Sequence, residues 1–377
     1  MKMLYILNIA NKVNNFSHAS MRAACKMGIE FHIAGNWGYA SEVERLADER
    51  KYGIYIHQID FVRAPYDIRN KKAMQQLLEL VKSEQFDVIH CNTPIGGVLG
   101  RLVGKKCGVQ KIIYQAHGFH FYKGAPLLNW LLYYPIERWL ARYTNALITI
   151  NQEDYAFAQK NMRLRHHGKI YYVPGVGIDT TQYQLNDAIR TCKRQELELT
   201  DADVMLLSAG ELNENKNNKV ILSAIAKLKD PHIHYFLCGV GAMEMELKSQ
   251  AGVDGVAQQV HFLGYRQDMK ELLLAADIFV MPSYREGLSR AISEAMASGL
   301  PCIVSKIRGN MDLVHQEKGG YLCEPSDVDG FADAVSKLAS SQEKRQLMGL
   351  YNLENINNFD SSVVEEQLTG IYSEVLG

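Results

Sequence analysis

The seven cysteines in 377 residues (25, 91, 107, 192, 238, 302 and 323) are scattered, odd in number and never spaced Cys-x-x-Cys. That pattern excludes a disulfide framework and a zinc site and reads as a reduced, intracellular chain. No GxGxxG follows the first apolar run, which argues against a dinucleotide oxidoreductase, and the absence of GxxxxGK[ST] excludes a P-loop. The N-terminal MKMLYILNIANKVNN turns polar after a short apolar run and has no small-residue cleavage site. It reads as a buried first strand, neither a signal peptide nor an anchor. Twelve histidines show no ligand spacing beyond His166-His167 in a basic turn. Asp201-Ala-Asp203 precedes a strand and Asp327-Val-Asp329 opens a helix, so both read as caps and no metal site is expected. Basic residues are not interleaved with aromatics along a sheet surface, so no nucleic-acid partner is expected.

What is present is a chain 47% hydrophobic and 22% charged, long enough for roughly two domains of about 150 residues. The net charge of −1 hides an asymmetry. Residues 1–180 carry 23 Lys+Arg against 14 Asp+Glu, a net of +9, and residues 181–377 carry 18 against 28, a net of −10. A basic half suits an anionic lipid surface or a diphosphate, and the same imbalance would serve two halves that attract one another across a cleft.

Short apolar runs at 3–10, 30–35, 55–59, 86–91, 111–117, 145–150 and 169–173 alternate with amphipathic stretches such as 70–83 and 95–107. Continuous apolar strands separated by helices predict a parallel sheet covered on both faces. VPGVGIDT (173–180) has breaker chemistry and marks a boundary. The alternation restarts at 204–210, 233–239, 260–264, 277–283 and 301–305, and a helical pattern closes the chain at 361–376. The expected fold is α/β with two Rossmann-like, doubly wound domains facing across a cleft, at 1–174 and 175–360, with ligands at the strand C-termini.

The second half holds the densest chemistry. VMLLSAGELNENKNN (204–218) is a strand ending at Gly210 and a polar loop carrying Asn215 and Lys216 before a helix. A lysine beside a helix N-terminus can take phosphate oxygens, although the same position also suits a solvated surface lysine. In MPSYREGLSRAISEAMASGLP (281–301) a strand ends near Ser283, Ser289 caps a helix, and Gly299 and Pro301 end it. Glu286 lies in the loop and Glu294 inside the helix. Eight residues span about 12 Å at ~1.5 Å per residue, enough for two ends of one extended ligand; the alternative for Glu294 is a solvated carboxylate. Gly287 permits close backbone approach, and the N–H groups of Leu288 and Ser289 would face an anion.

E-x7-E at this place, the lysine after the first strand of the second half, and glycine loops at FLCGVG and FLGYRQD resemble the retaining GT-B glycosyltransferases of family 4. The resemblance extends to HGFHFYKG, PGVGID and IRGNMDLV (307–314) and covers essentially the whole chain. It implies an acceptor-binding N-terminal domain, with the helix at about 361–377 packing back on it, and a nucleotide-sugar-binding C-terminal domain. It also implies that Glu286 contacts donor-sugar hydroxyls, Glu294 the ribose hydroxyls and Lys216 the diphosphate. Gly287, Leu288 and Ser289 would supply backbone donors, Gly210 and Asn215 would border the donor, and Arg266 would mark where the chain passes the base. A lysine and helix N–H groups can stabilise a departing nucleoside diphosphate without metal. No cofactor is expected beyond the nucleotide-sugar co-substrate, with UDP as the carrier.

Two positions depart from the family. Where many relatives have an arginine five residues before the lysine, this chain has Glu211, which would repel a diphosphate; Arg285, Arg290 and Arg308 are candidate replacements. The first loop has Asn11, Asn14 and Asn15 where paired glycines are common.

His117, in YQAHGFHFYKG, matches the family histidine beside the reacting sugar, with a structural histidine at a strand end as the alternative. In the family mechanism, a front-face substitution, the leaving phosphate helps deprotonate the acceptor, and the histidine steadies developing oxocarbenium charge. The segment 125–145 concentrates Trp130, Leu131, Leu132, Tyr133, Tyr134, Trp139 and Leu140 with Arg138 and Arg142. Its apolar run is too short to span a bilayer; it reads either as a core helix or as one lying on a membrane with its arginines at head groups. The second reading makes a polyprenyl-diphosphate-linked glycan acceptor and peripheral association with the inner face of the plasma membrane expectations. Two rivals are weighed. A sugar-nucleotide 2-epimerase of the same fold needs paired acid/base carboxylates in the first half, where none is found. A non-catalytic binding subunit is favoured by Glu211 and opposed by Glu286, Glu294, Lys216 and His117 together.

Overall fold

The computed structural model describes residues 1–13 and 15–377. The chain divides into two compact units, residues 1–177 with 361–377, and residues 178–360.

The first unit contains β1 (Lys2–Ile9), β2 (Glu30–Asn36), β3 (Tyr55–Gln58), β4 (Val88–Asn92), β5 (Lys111–Ala116), β6 (Ala146–Thr149) and β7 (Lys169–Tyr172) in a sheet of order β3-β2-β1-β4-β5-β6-β7. Every pairing is parallel. Met3 to Leu7 of β1 and all of β4 are buried, as continuous apolar strands require when helices cover both faces. The final helix, Ser361–Leu376, buries Val364, Leu368, Tyr372 and Val375 in this unit's core. The Tyr372 hydroxyl lies 2.7 Å from Nδ1 of the buried His90. Gly177 (φ +81°) sits where the chain crosses its returning end: a Cβ there would stand 2.7 Å from Ser361 Cα.

The second unit contains β8 (Val204–Ala209), β9 (Ile233–Cys238), β10 (Val260–Gly264), β11 (Ile278–Met281), β12 (Cys302–Ser305) and β13 (Gly320–Cys323), also all parallel, in the order β10-β9-β8-β11-β12-β13. β13 is the strand that apolar patterning does not show. It has four residues and opens on Gly320 (φ +155°), where a Cβ would lie 1.8 Å from Cys302 O, so only glycine allows it to close against β12. In each sheet the strand order reverses beside the first strand, at β1/β4 and at β8/β11. Ligands in open α/β sheets bind outside the strand C-termini at such points.

Candidate functional site

In the second unit, the loops after β8 and β11 meet at that reversal. The first leaves β8 at Gly210 (φ +150°), against which the Lys216 side chain lies: a Cβ on Gly210 would stand 3.0 Å from Lys216 Cε. Asn213 holds the turn by accepting the Lys216 N–H at 3.1 Å. Asn217 adopts the left-handed conformation (φ +50°) and donates to the carbonyls of Pro282 (3.1 Å) and Pro325 (2.7 Å). Asn215 braces the two loops directly. Its carbonyl accepts from Tyr284 N–H at 2.8 Å, and its side-chain amide donates to Arg285 O at 3.0 Å. These bonds bring Lys216 Nζ to 2.8 Å from Glu286 Oε1, with the two side chains 20% and 15% exposed. Lys216 is therefore not a freely solvated lysine.

Beyond Glu286 the chain enters the helix Arg290–Ala297. Ser289 caps it, its hydroxyl accepting from Ile292 N–H at 3.4 Å. Leu288 packs its side chain into the unit's core, which fixes the peptides of 287–289 above the helix start. Gly309 (φ +75°), in the loop after β12, presses on the same peptides: a Cβ there would lie 2.2 Å from Gly287 O. Glu294 is half-buried one turn into the helix, 2.8 Å from Arg290 Nε. Tyr183 stands near it, and its hydroxyl is pushed above its ordinary pKa first by burial and then by this carboxylate. Tyr183 comes from the 3₁₀ turn Thr180–Tyr183, and nothing in the sequence links it to Glu294. Glu286 and Glu294 thus each have a cation of their own, and both are turned away from free solvation.

Arg266, after β10, belongs to a separate network. Its guanidinium reaches Asp268 and, at 3.1 Å, Glu196. The hydrogen bond from Arg266, followed by one from Lys193, holds Asp268 far below the usual carboxylate range. Glu211 is exposed, and its carbonyl accepts from Asn213 N–H at 2.9 Å. Of the three arginines proposed to replace its missing charge, Arg285 is exposed, Arg290 is on Glu294, and Arg308 is buried next to Gly309.

In the first unit, His117 stands at the C-terminal end of β5. Its Nε2 is 3.0 Å from Asn92 Oδ1 at the end of the neighbouring β4, and its ring is 5.0 Å from that of Phe16. Burial lowers its pKa to about 4, so the imidazole is neutral at pH 7. With Nε2–H donated to the Asn92 oxygen, Nδ1 is left as an acceptor, suited to a hydroxyl. The following loop turns at Gly118 (φ +116°) and is tied to the helix Gln152–Asn161: Phe119 N–H donates to Asp154 at 2.9 Å and Lys123 N–H to Glu153 at 3.0 Å. Asn11 is exposed, while Asn14 and the side chain of Asn15 lie outside the described residues.

The segment read either as a core helix or as a membrane-lying one forms the helix Leu127–Ala141, of which only Leu140 and Ala141 are buried. Among the described residues no helix is long and apolar enough to cross a membrane.

The family model for glycosyl transferases group 1 matches residues 190–354, and that for glycosyl transferase 4-like proteins matches residues 17–151. EpsD of Bacillus subtilis, named as a glycosyltransferase, is 35% identical over 353 residues, 92% of this chain and 90% of that protein. The UDP-Gal:alpha-D-GlcNAc-diphosphoundecaprenol alpha-1,3-galactosyltransferase of Escherichia coli is 30% identical over 280 residues, 73% of this chain and 72% of that protein. The crystal structure of Anabaena HepE in complex with UDP has the same fold, with a TM-score of 0.80 at 19% identity over 99% of this chain and 100% of that one. Two parallel sheets with their loop clusters, both family matches and these relatives agree: the chain belongs to the family 4 glycosyltransferases of GT-B fold, and it is a sugar-transferring enzyme.

Proposed function

We propose that this glycosyltransferase moves a sugar from a UDP-sugar to a hydroxyl of a polyprenyl-diphosphate-linked glycan, with retention of configuration and without a metal, in surface polysaccharide synthesis. The observation that carries the donor half is the Lys216–Glu286 pair beside the N-terminus of the helix Arg290–Ala297, at the strand reversal of the second sheet. A diphosphate is a stronger ligand for Lys216 than one carboxylate. Its arrival would release Glu286 to hydrogen-bond sugar hydroxyls while the peptides of Leu288 and Ser289 take phosphate oxygens. Glu294, held by Arg290 at 2.8 Å, would accept from the two ribose hydroxyls. As the glycosidic bond breaks, charge grows on the departing diphosphate. Lys216 and the helix N–H groups would stabilise it from fixed positions, the role a metal plays elsewhere. The leaving phosphate oxygen would take the acceptor's proton on the same face. The neutral His117 would steady developing positive charge through its acceptor nitrogen.

The donor and acceptor classes draw support from relatives. The Escherichia coli enzyme is named for UDP-Gal and a diphosphoundecaprenol acceptor, and HepE was solved with UDP and with UDP-glucose. Calorimetric titration with UDP, GDP and ADP in EDTA tests the reading. Selective binding of UDP is expected. Binding of none would overturn it in favour of a non-catalytic subunit, with Glu211 the first residue to replace.

A further inference from the structure

We infer that Asn92 and Tyr5 are positioning residues for the transfer reaction: they hold His117 in the tautomer that carries its proton on Nε2 and presents a bare Nδ1. Asn92 closes β4 (VIHCN) and is fully buried. An amide taken out of water costs stability unless it is hydrogen-bonded, and its oxygen is committed to His117 Nε2 at 3.0 Å. A neutral imidazole has one donor and one acceptor nitrogen, so the bond made by one nitrogen dictates what the other can do.

An amide can face His117 with either end, oxygen or N–H₂. Tyr5 decides which. It is fully buried, its hydroxyl stands near Asn92, and it donates its single proton to Phe16 O at 2.6 Å. The phenol oxygen can therefore only accept, which turns the N–H₂ end of Asn92 toward Tyr5 and the oxygen toward His117. The reversed amide would set two acceptor oxygens against each other with no proton between them. Phe16, whose carbonyl takes the Tyr5 proton, also lays its ring 5.0 Å from that of His117.

Thr93, next in the chain, has φ +64° and ψ +159°, which a β-branched residue adopts only at a cost. Strain of this kind persists where surrounding contacts hold it, and it gathers at functional corners. Here Thr93 alone separates the end of β4 from the helix Pro94–Lys106, so Asn92 keeps its register opposite Gln115, two residues before His117. The choice of asparagine over aspartate keeps this corner uncharged. The titratable groups that line it, Tyr5 on β1, His90 on β4 and Tyr372 on the last helix, are neutral at pH 7, because burial raises both phenols and lowers His90 to about 3. A carboxylate in place of Asn92 would favour the imidazolium, which has no acceptor nitrogen and would repel positive charge growing on the sugar.

The consequence for rate rests on the role of His117 proposed above; the tautomer does not. Long-range ¹⁵N–¹H correlations in protein labelled with ¹⁵N-histidine read the tautomer directly, the His117 signals being identified by their loss in His117→Gln. The parent should show a protonated Nε2 and a bare Nδ1; a protonated Nδ1 overturns the proposal. Tyr5→Phe, which keeps the ring and removes the hydroxyl, should give a mixture of tautomers, and so should Asn92→Ala. The parental pattern in both variants also overturns it. Asn92→Ala should lower kcat about 10- to 100-fold, as loss of a partner that orients a histidine does elsewhere, with UDP affinity unchanged. Asn92→Asp should give the transfer rate an acid limb: the rate falls as pH drops through the raised His117 ionisation and recovers toward the parental value at alkaline pH. A loss in Asn92→Asp that is the same at every pH would make Asn92 merely structural and overturn the proposal. Transfer by His117→Gln at the parental rate would defeat the role of His117 alone and leave the tautomer standing.

Discussion

Replacing Lys216 by alanine removes the cation on which the donor assignment depends. The ammonium is 2.8 Å from Glu286, and both side chains are largely shielded from solvent. Two effects follow for a bound diphosphate. A charge-assisted hydrogen bond is lost, worth about 1.5–3 kcal/mol, so UDP affinity should fall roughly 10- to 150-fold. Glu286 is then left without its partner beside the incoming phosphates and repels them. Changing Glu286→Gln in the Lys216→Ala background removes that repulsion, so the double variant should bind UDP more tightly than Lys216→Ala alone, by about 1 kcal/mol of coupling. In turnover the loss is larger, because the departing diphosphate gains charge. Removal of one fixed donor of this kind typically lowers kcat about 10²- to 10³-fold. Stability should change little, since ion pairs with partial solvent access contribute about 0–1 kcal/mol. The assay is calorimetry with UDP beside single-turnover transfer from the UDP-sugar, with thermal melts as the folding control. UDP affinity of Lys216→Ala within a factor of two of the parent would refute the reasoning.

Glu294→Ala should weaken UDP at least about tenfold by removing the acceptor for two ribose hydroxyls, whereas Glu286→Ala should mainly slow transfer; equal UDP affinity for Glu294→Ala and the parent would remove the ribose role. Gly309→Ala places a methyl where Gly287 O now lies and demands φ +75° of an L side chain. It should lower both UDP affinity and Tm; unchanged values would show that these peptides carry no ligand. His117 titrates near pH 4, below its ordinary 6.5, so the folded protein binds fewer protons at this site than the unfolded chain between those values. Its contribution to stability is complete above pH 6.5 and is lost as pH falls toward 4. Its neutral form also predominates through that interval. The transfer rate should therefore show no His117 ionisation near pH 6.5, and a wild-type inflection there that His117→Gln abolishes would contradict the assigned environment. Transfer should persist in excess EDTA; abolition with rescue by Mn²⁺ would contradict the metal-free mechanism.

Both sheets were legible because their central strands are buried on both faces and so read as unbroken apolar runs, as in MLYIL of β1 and MLL of β8. β13 was not, since a glycine demanded by contact with Cys302 O replaces the apolar residue that would have announced it. Within the second unit, Lys216, Glu286 and Glu294 could be placed on loops and helix from their spacing after strands. Their partners could not. The Lys216–Glu286 contact spans 70 residues, and Tyr183 reaches Glu294 from more than a hundred residues upstream through a turn with no motif of its own. Gly309 stood in a loop already singled out, yet its reason for being glycine is the Gly287 carbonyl, which only the fold supplies. The helix Leu127–Ala141 was ambiguous for a simpler cause. Its apolar residues occupy every side, so periodicity cannot tell the face that meets Phe121 from the face left outside.

A crystal structure with UDP bound would test the central claim most directly. The account predicts the diphosphate on Lys216 Nζ and the peptides of Leu288 and Ser289, both ribose hydroxyls on the Glu294 carboxylate, and Glu286 released from Lys216. UDP seated elsewhere, with the 2.8 Å Lys216–Glu286 pair intact and the Glu294 carboxylate still held by Arg290 alone, would contradict it.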